Sequence, residues 1–464
     1  MLEQWGIEPP VSWQSSLTSL MASVRWSSRG YLRTLQGILC GRHTPHHETG
    51  LSMQNLYLGL IILAFGSTLD AAEIWPEFRG PTGDGHVRAT QLPTKWSETE
   101  NVRWKAKLPG RGWSTPVIVG DRIWMTSASD NGHELSVICV SRKDGTVLQR
   151  EKLFEVDSPK SRNKMNSYAS PSPVTDGEFV YVNYGTYGVA CLHAQTGKTV
   201  WSRRDVNLDH QEGPGSSLIL HQETLIFHCD GRDVQFLIAL NCKTGKTVWR
   251  TKRSIDLSKV GDFSRKAFTT PLIVKTDQGV RMISPAAQGC YCYDPQSGRE
   301  LWRVSYRGFS AVPRPVVSNG LAFVVDGFAN PKIYAIRHDG KGDITKSHVE
   351  WVYSQNGPST PSPIVVGRQL LFVSDKGILS SISTEKGELR WKHRIGGNFS
   401  ASPIVANEQL YLFDRDGKTT ILRLGDSPQV LAVNELDEGL MASPAVSGNA
   451  LFLRTPSYLY CIEK

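Results

Sequence analysis

One four-strand phrase recurs along most of this 464-residue chain, and it limits the fold more than any other feature. Each copy opens on a small residue and Pro, followed by two or three apolar, mostly β-branched residues and a Gly/Asp/Asn turn. Two further apolar strands follow, then a turn ending in Gly and often a Trp four residues later. The openings are Ser114-Thr115-Pro116, Ser172-Pro173, Ser216-Ser217, Thr270-Pro271, Pro315, Ser362-Pro363, Ser402-Pro403 and Ser443-Pro444. Eight starts spaced by about 40 to 57 residues suit propeller blades rather than a helical solenoid. The second half of the phrase is sharper, at Gly197 and Trp201, Gly245 and Trp249, Gly298 and Trp302, and Gly387 and Trp391. The Gly supplies positive φ for a tight reversal, and the Trp falls on the outer strand, where its ring can cover the neighbouring blade. Blade one has Gln149 in place of the Trp. Blade five inserts Asp339–Asp343, read as a surface hairpin rather than a calcium loop, and blade seven, with Gly425 and no Trp, departs most.

The eighth copy has only three strands before Lys464. The segment 101–107, carrying Trp104, matches the missing outer strand, and pairing it with the last three would seal the ring and leave no sheet edge open. The expected fold is therefore all-β: an eight-bladed β-propeller of four-stranded antiparallel blades over 101–464, its last blade closed by an N-terminal strand.

The phrase resembles the pyrroloquinoline-quinone repeat, Ala-x-Asp-x-x-Thr-Gly-x-x-x-Trp, across essentially all of 101–464. Within that family the chain looks closer to noncatalytic members, including the outer-membrane protein assembly type. It also resembles secreted bacterial proteins that open on Trp-Pro-x-Phe-Arg-Gly-Pro, here Trp75 to Pro81. For the quinone enzymes of this fold, the resemblance implies a vicinal disulfide, a Trp floor, and calcium held by Glu, Asn and Asp beside an Asp base. This chain has no adjacent Cys pair. No cofactor is expected, and pyrroloquinoline quinone with calcium enters only under the alternative of a quinone-dependent oxidoreductase.

Residues 1–52 read as an untranslated or disordered extension, residues 53–72 as a signal peptide with its apolar run from Leu56 to Phe65, and residues 73–100 as an N-terminal arm. The chain is expected to be exported, to the periplasm or the cell surface and beyond. It is expected to be monomeric, with no transmembrane span once mature. The net charge of +8 marks a basic surface, but no Lys/Arg run is dense enough for specific nucleic-acid binding. Eight cysteines would suit a disulfide framework, yet Cys139, Cys191, Cys292 and Cys461 stand where other blades put Ala239 or Ser381. That exchange marks a tight packing position holding a buried thiol.

No Gly-x-Ser-x-Gly elbow, His-Glu-x-x-His or phosphate loop is present. In a propeller, the connections entering each innermost strand crowd the central opening, so binding residues are expected there: Arg111, Trp113, Asn166, Tyr168, His210, Glu212, Lys266, Phe268, Phe309, Arg314, Asn398 and Phe399. Aromatic faces with cations and amides suit a protein partner or a saccharide or anionic ligand. A polysaccharide hydrolase would need a second carboxylate facing Glu212 across the opening.

Overall fold

The computed structural model describes residues 74–89 and 91–464, so the expectations for 1–52 and 53–72, and Cys40, fall outside the described residues. Eight sheets follow one another around a ring, seven of them built from an inner to an outer strand in sequence order and the eighth closed by the first strand of the chain. Seven have four strands. The blade-four sheet gains a fifth, because Gly342–Asp343 pairs in parallel with the outer strand Glu300–Ser305. The insertion in blade five is thus a two-residue clamp onto its neighbour and not a free hairpin. The ring closes as the repeat predicts: Val102–Lys107 pairs antiparallel with Tyr458–Ile462, Trp104 opposite Cys461. No helix among the described residues is long and apolar enough to cross a membrane.

The Trp and Gly of the phrase work across blades. Trp104, Trp201, Trp249, Trp302 and Trp351 donate their indole N–H to a carbonyl of the next blade, on Arg142, Cys242, Pro295, His338 and Thr384, at 2.7 to 3.2 Å. At Gly298, with φ of +70°, a Cβ would come within 2.5 Å of the Trp249 ring. Glycine is therefore required twice, by the backbone angle and by the ring lying on it. Within its own blade each Trp pairs with a small third-strand residue: Cys191 with Trp201, Ala239 with Trp249, Cys292 with Trp302, Ser381 with Trp391. The cysteines there are buried and unpaired, small partners to a large ring.

Blade one replaces the indole with Gln149, whose amide donates to Gly197 O at 3.2 Å. Around blade seven the device fails on both sides. Trp391, facing it, has no acceptor for its N–H. Its own outer strand offers Ala432 opposite Ile421, the large and small members exchanged. The arm covers that gap. Trp96 is 3% exposed and shares an apolar cluster with Leu92, Ala432 and Phe452. Its backbone N–H donates to Asn434 Oδ1 at 2.9 Å, its indole N–H finds no acceptor, and Asn434 lies on the same strand face as Ala432.

Candidate functional site

All the inner strands but that of blade five, which has Arg314, are preceded by Ser or Thr, and these hydroxyls form two hydrogen-bonded arcs around the axis. The backbone N–H of Thr115 donates to Ser172 Oγ, that of Ser172 to Ser217 Oγ, and that of Ser217 to Thr270 Oγ1, at 2.9 to 3.2 Å. The N–H groups of Arg314, Ser362 and Ser402 form the second arc with the hydroxyls of Ser362, Ser402 and Ser443, at 2.8 to 3.0 Å. Each of these six hydroxyls thus ties its blade to the previous one at the narrowest radius.

Below this ring the arm occupies the axis. Trp75 pairs with Ile118 of blade one, Pro76 O accepts the N–H of Thr175 in blade two, and Val87 donates to Val405 O in blade seven at 2.9 Å. The Trp-Pro-x-Phe-Arg-Gly-Pro stretch is therefore the plug of the channel. Arg79 donates to Pro363 O at 2.8 Å. Arg314 meets Glu77 Oε1 at 3.0 Å and donates to Phe78 O at 2.7 Å and Pro271 O at 3.2 Å. Burial raises the pKa of Glu77 above the ordinary carboxylate value, more than Arg314 lowers it.

Above the ring a funnel of about 330 Å³ opens to solvent, floored by Phe78. Four of the residues expected at the opening line it: Trp113, Asn166, Glu212 and Phe268. Arg111 is exposed beside them, its guanidinium 5.5 Å from the Trp113 ring, and Phe309 stands edge-on to Phe263 at 5.5 Å. The others turn elsewhere. Tyr168 packs edge-on to Tyr187 and donates to Lys160 O at 2.9 Å. Phe399 is buried in the core between blades six and seven, and Asn398, exposed, reaches Asp416 at 3.5 Å. Arg314 is buried beneath the ring, holding the plug. Lys266 is also buried. Its ammonium donates to Phe263 O at 2.7 Å, lies 3.5 Å from the Phe263 ring centre and 3.9 Å from Glu212, and burial lowers its pKa. His210 is 2% exposed with neither ring nitrogen bonded. Burial pushes its pKa down to about 4.

Residues not expected complete the funnel: Phe78 as floor, Met165 and Phe263 from farther upstream in the long connections, and Phe328 from the turn between second and third strands. Strand parity could have found Phe328, because in a four-stranded antiparallel blade that turn lies on the same face as the entering connection. Glu212 is the one carboxylate among the lining residues, so no facing acid for glycoside hydrolysis stands across the funnel. A buried charged group, Asp230 with His228 at 2.6 Å and Arg253 at 2.7 Å, resembles a catalytic set but is closed. The other His228 nitrogen meets Thr269 O. Burial would raise Asp230, yet Arg253 and His228 hold it below the ordinary value.

A closed ring of eight four-stranded blades with a plugged axis places the chain among the propellers of the pyrroloquinoline-quinone type. More narrowly, the family described as outer membrane protein assembly factor BamB matches residues 87–205 and 235–464, and the chain belongs to it. It is 24% identical over 235 residues to outer membrane protein assembly factor BamB of Yersinia pestis, covering 46% of this chain and 55% of that one. The chain spans about half the length of the curated relatives it matches first. Among solved structures, BamB from Moraxella catarrhalis superimposes with a TM-score of 0.53 at 13% identity, over 78% of this chain and 99% of that one. A europium-containing methanol dehydrogenase gives 0.61 at 11%, over 82% and 89%. Those two likenesses establish the fold alone.

The alternative of a quinone-dependent oxidoreductase would place pyrroloquinoline quinone with calcium in the funnel, and the lining does not fit it. Calcium needs six or more oxygen ligands, usually with several carboxylates, whereas the lining supplies Glu212 alone, already beside Lys266. Among the described residues no three His, Cys, Asp or Glu side chains gather as metal ligands.

Proposed function

We propose that this chain is a noncatalytic, exported scaffold of the outer-membrane assembly type, and that the face around its funnel docks a protein partner. One observation carries the reading. Met165, Phe263 and Phe328, at 43%, 50% and 57% exposure, stand together around the mouth of a funnel whose floor is closed. Clustered exposed apolar side chains at a concavity are a mark of association surfaces. The family supports a partner that is itself a protein, and the apolar run within 53–72 supports export. Nothing in the funnel favours nucleic acid, since its lining includes no Lys or Arg.

The test is photocrosslinking in cells of the source organism, with a photoreactive residue placed at Phe263 or Phe328 and, as control, at Val248, exposed on an outer strand. A discrete envelope-protein adduct from the first two sites and none from the third is the expected result. Equal labelling from all three would remove the funnel face as the docking surface.

A further inference from the structure

We propose that the hydroxyl ring at the neck of the funnel is a binding site for a carboxylate group carried on an apolar body. The site is distinct from the docking rim above it and stands whether or not that rim engages a protein.

The ring supplies donors in excess of protein acceptors. The Ser172, Ser217, Thr270 and Ser443 hydroxyls each accept a neighbouring backbone N–H, and none donates its hydrogen to an acceptor among the described residues. All four line the funnel. Thr115 goes further: it is 1% exposed, it lines the same neck, and its hydroxyl has no partner at all. A buried hydroxyl left unpaired is destabilising, so an acceptor on the axis would recover what the fold leaves unmet. Five hydroxyls around one neck, four with a free hydrogen and one without any partner, favour a group that only accepts.

Charge selects the same group. Three buried guanidinium groups surround the ring, each bonded one residue from a ring position. Arg314 meets Pro271 O, Arg79 meets Pro363 O, and Arg454 meets Ser114 O at 3.3 Å. Burial pulls Arg79 and Arg454 down to about 9, which leaves both cationic at neutral pH. Against them stand one directly paired carboxylate, Glu77 on Arg314, and Asp84, whose charge acts on Arg79, while Arg454 has no acidic partner among the described residues. Glu212, the acid in the funnel wall, is offset by Lys266. The neck is thus a donor-lined point of positive potential in a low-dielectric setting, where an anion gains most. Above it, Trp113, Phe268 and Met441 give an apolar sleeve, which suits an acid with an aromatic or aliphatic body. Such a carboxylate has two sources, a small free acid or the α-carboxylate at the end of a chain.

Calorimetry on the purified protein tests this with 3-phenylpropionate against 3-phenylpropionamide, and with a short peptide ending in Phe as its free acid against the same peptide amidated. The expected result is at least ten-fold tighter binding of each acid than of its amide, lost as the pH falls through about 5, where a carboxylic acid takes up its proton. Thr115→Val, nearly isosteric, should weaken the acid about five- to ten-fold, leave the amide unchanged and leave the melting temperature level or higher. Ser443→Asp, which brings a carboxylate to the ring, should abolish acid binding, and it serves where Thr115→Val fails to fold. A peptide acid binding more than ten-fold tighter than phenylpropionate assigns the site to chain ends, and the reverse order assigns it to free acids. Acid and amide binding alike, or neither binding at millimolar concentration, overturns the proposal. The crosslinking result above would be untouched.

Discussion

Between blades three and four, Trp249 lies on Gly298 and donates to Pro295 O, and four other seams make the same bond. On the axis, Arg314 donates to Phe78 and Pro271 and pairs with Glu77, and no other blade has an Arg at that place. The rim is made by residues that recur, so each contact is backed by copies of itself. The axis is made by one segment, residues 75–87, and by single side chains that fit it. A repeat can be lost at one seam and covered, as Trp96 covers blade seven. A unique contact on the axis has no such substitute.

That difference makes the axis the more costly place to cut. Arg314→Ala strips the half-buried Glu77 of its partner and two carbonyls of their donor. We expect a loss of about 4–5 kcal/mol, read by chemical denaturation, near the upper end for breaking a buried ion pair. Burial raises Glu77, so its ionised form costs stability as the pH rises through its folded value. Adding Glu77→Gln should therefore recover part of that loss at neutral pH. At the rim, Trp302→Ala removes a ring that is 0% exposed and its bond to His338 O, for about 3–4 kcal/mol. If Trp302→Ala proved the more damaging of the two, the contrast between backed and unique contacts would be reversed.

His210 sharpens the contrast by pH. Its folded pKa, about 4, lies below the ordinary 6.5, so the neutral ring contributes stability that is fully present above pH 6.5 and lost as the pH falls toward 4. Wild type should lose about 2–3 kcal/mol more than His210→Phe over that window, while Trp302→Ala should keep the wild-type slope. Parallel curves for wild type and His210→Phe would mean that His210 is solvated and not part of the closed interior.

How far the sequence can be read follows the same division. The blade starts, the Trp and Gly seams and the closure by Trp104 were legible because each is written several times or completes a counted pattern. The small third-strand residues were legible as packing positions, though not as the cross-strand partners of the Trp. The funnel was half legible. Trp113, Asn166, Glu212 and Phe268 stand where the connections predict. Arg314 and Lys266 did not, because a long cation beside an opening can turn inward as easily as outward, and only the arm's Glu77 and the Phe263 carbonyl decide which. The motif from Trp75 to Pro81 was visible as a string, but its role as plug depends on backbone pairing of Trp75 with Ile118 and of Pro76 with Thr175, 43 and 99 residues away. No local pattern carries that.

The finest test asks whether the rim tolerates restoration. Gln149 is the one outer-strand residue at a Trp position that keeps a bond to the next turn without an indole, and it lies against Gly197 as the rings lie against theirs. Its partner Cys139 is small, as in the Trp-bearing blades, and Gly197 already has φ of +66°. Both surfaces that an indole needs are therefore in place, and the amide covers less of them. Gln149→Trp should raise stability by about 1 kcal/mol or leave it level, since the added burial is partly offset by the lost amide bond. A loss of more than about 2 kcal/mol, the scale of overpacking, would show that the first seam has closed around its smaller side chain. In that case the repeat would describe where blades meet but not how far apart they stand.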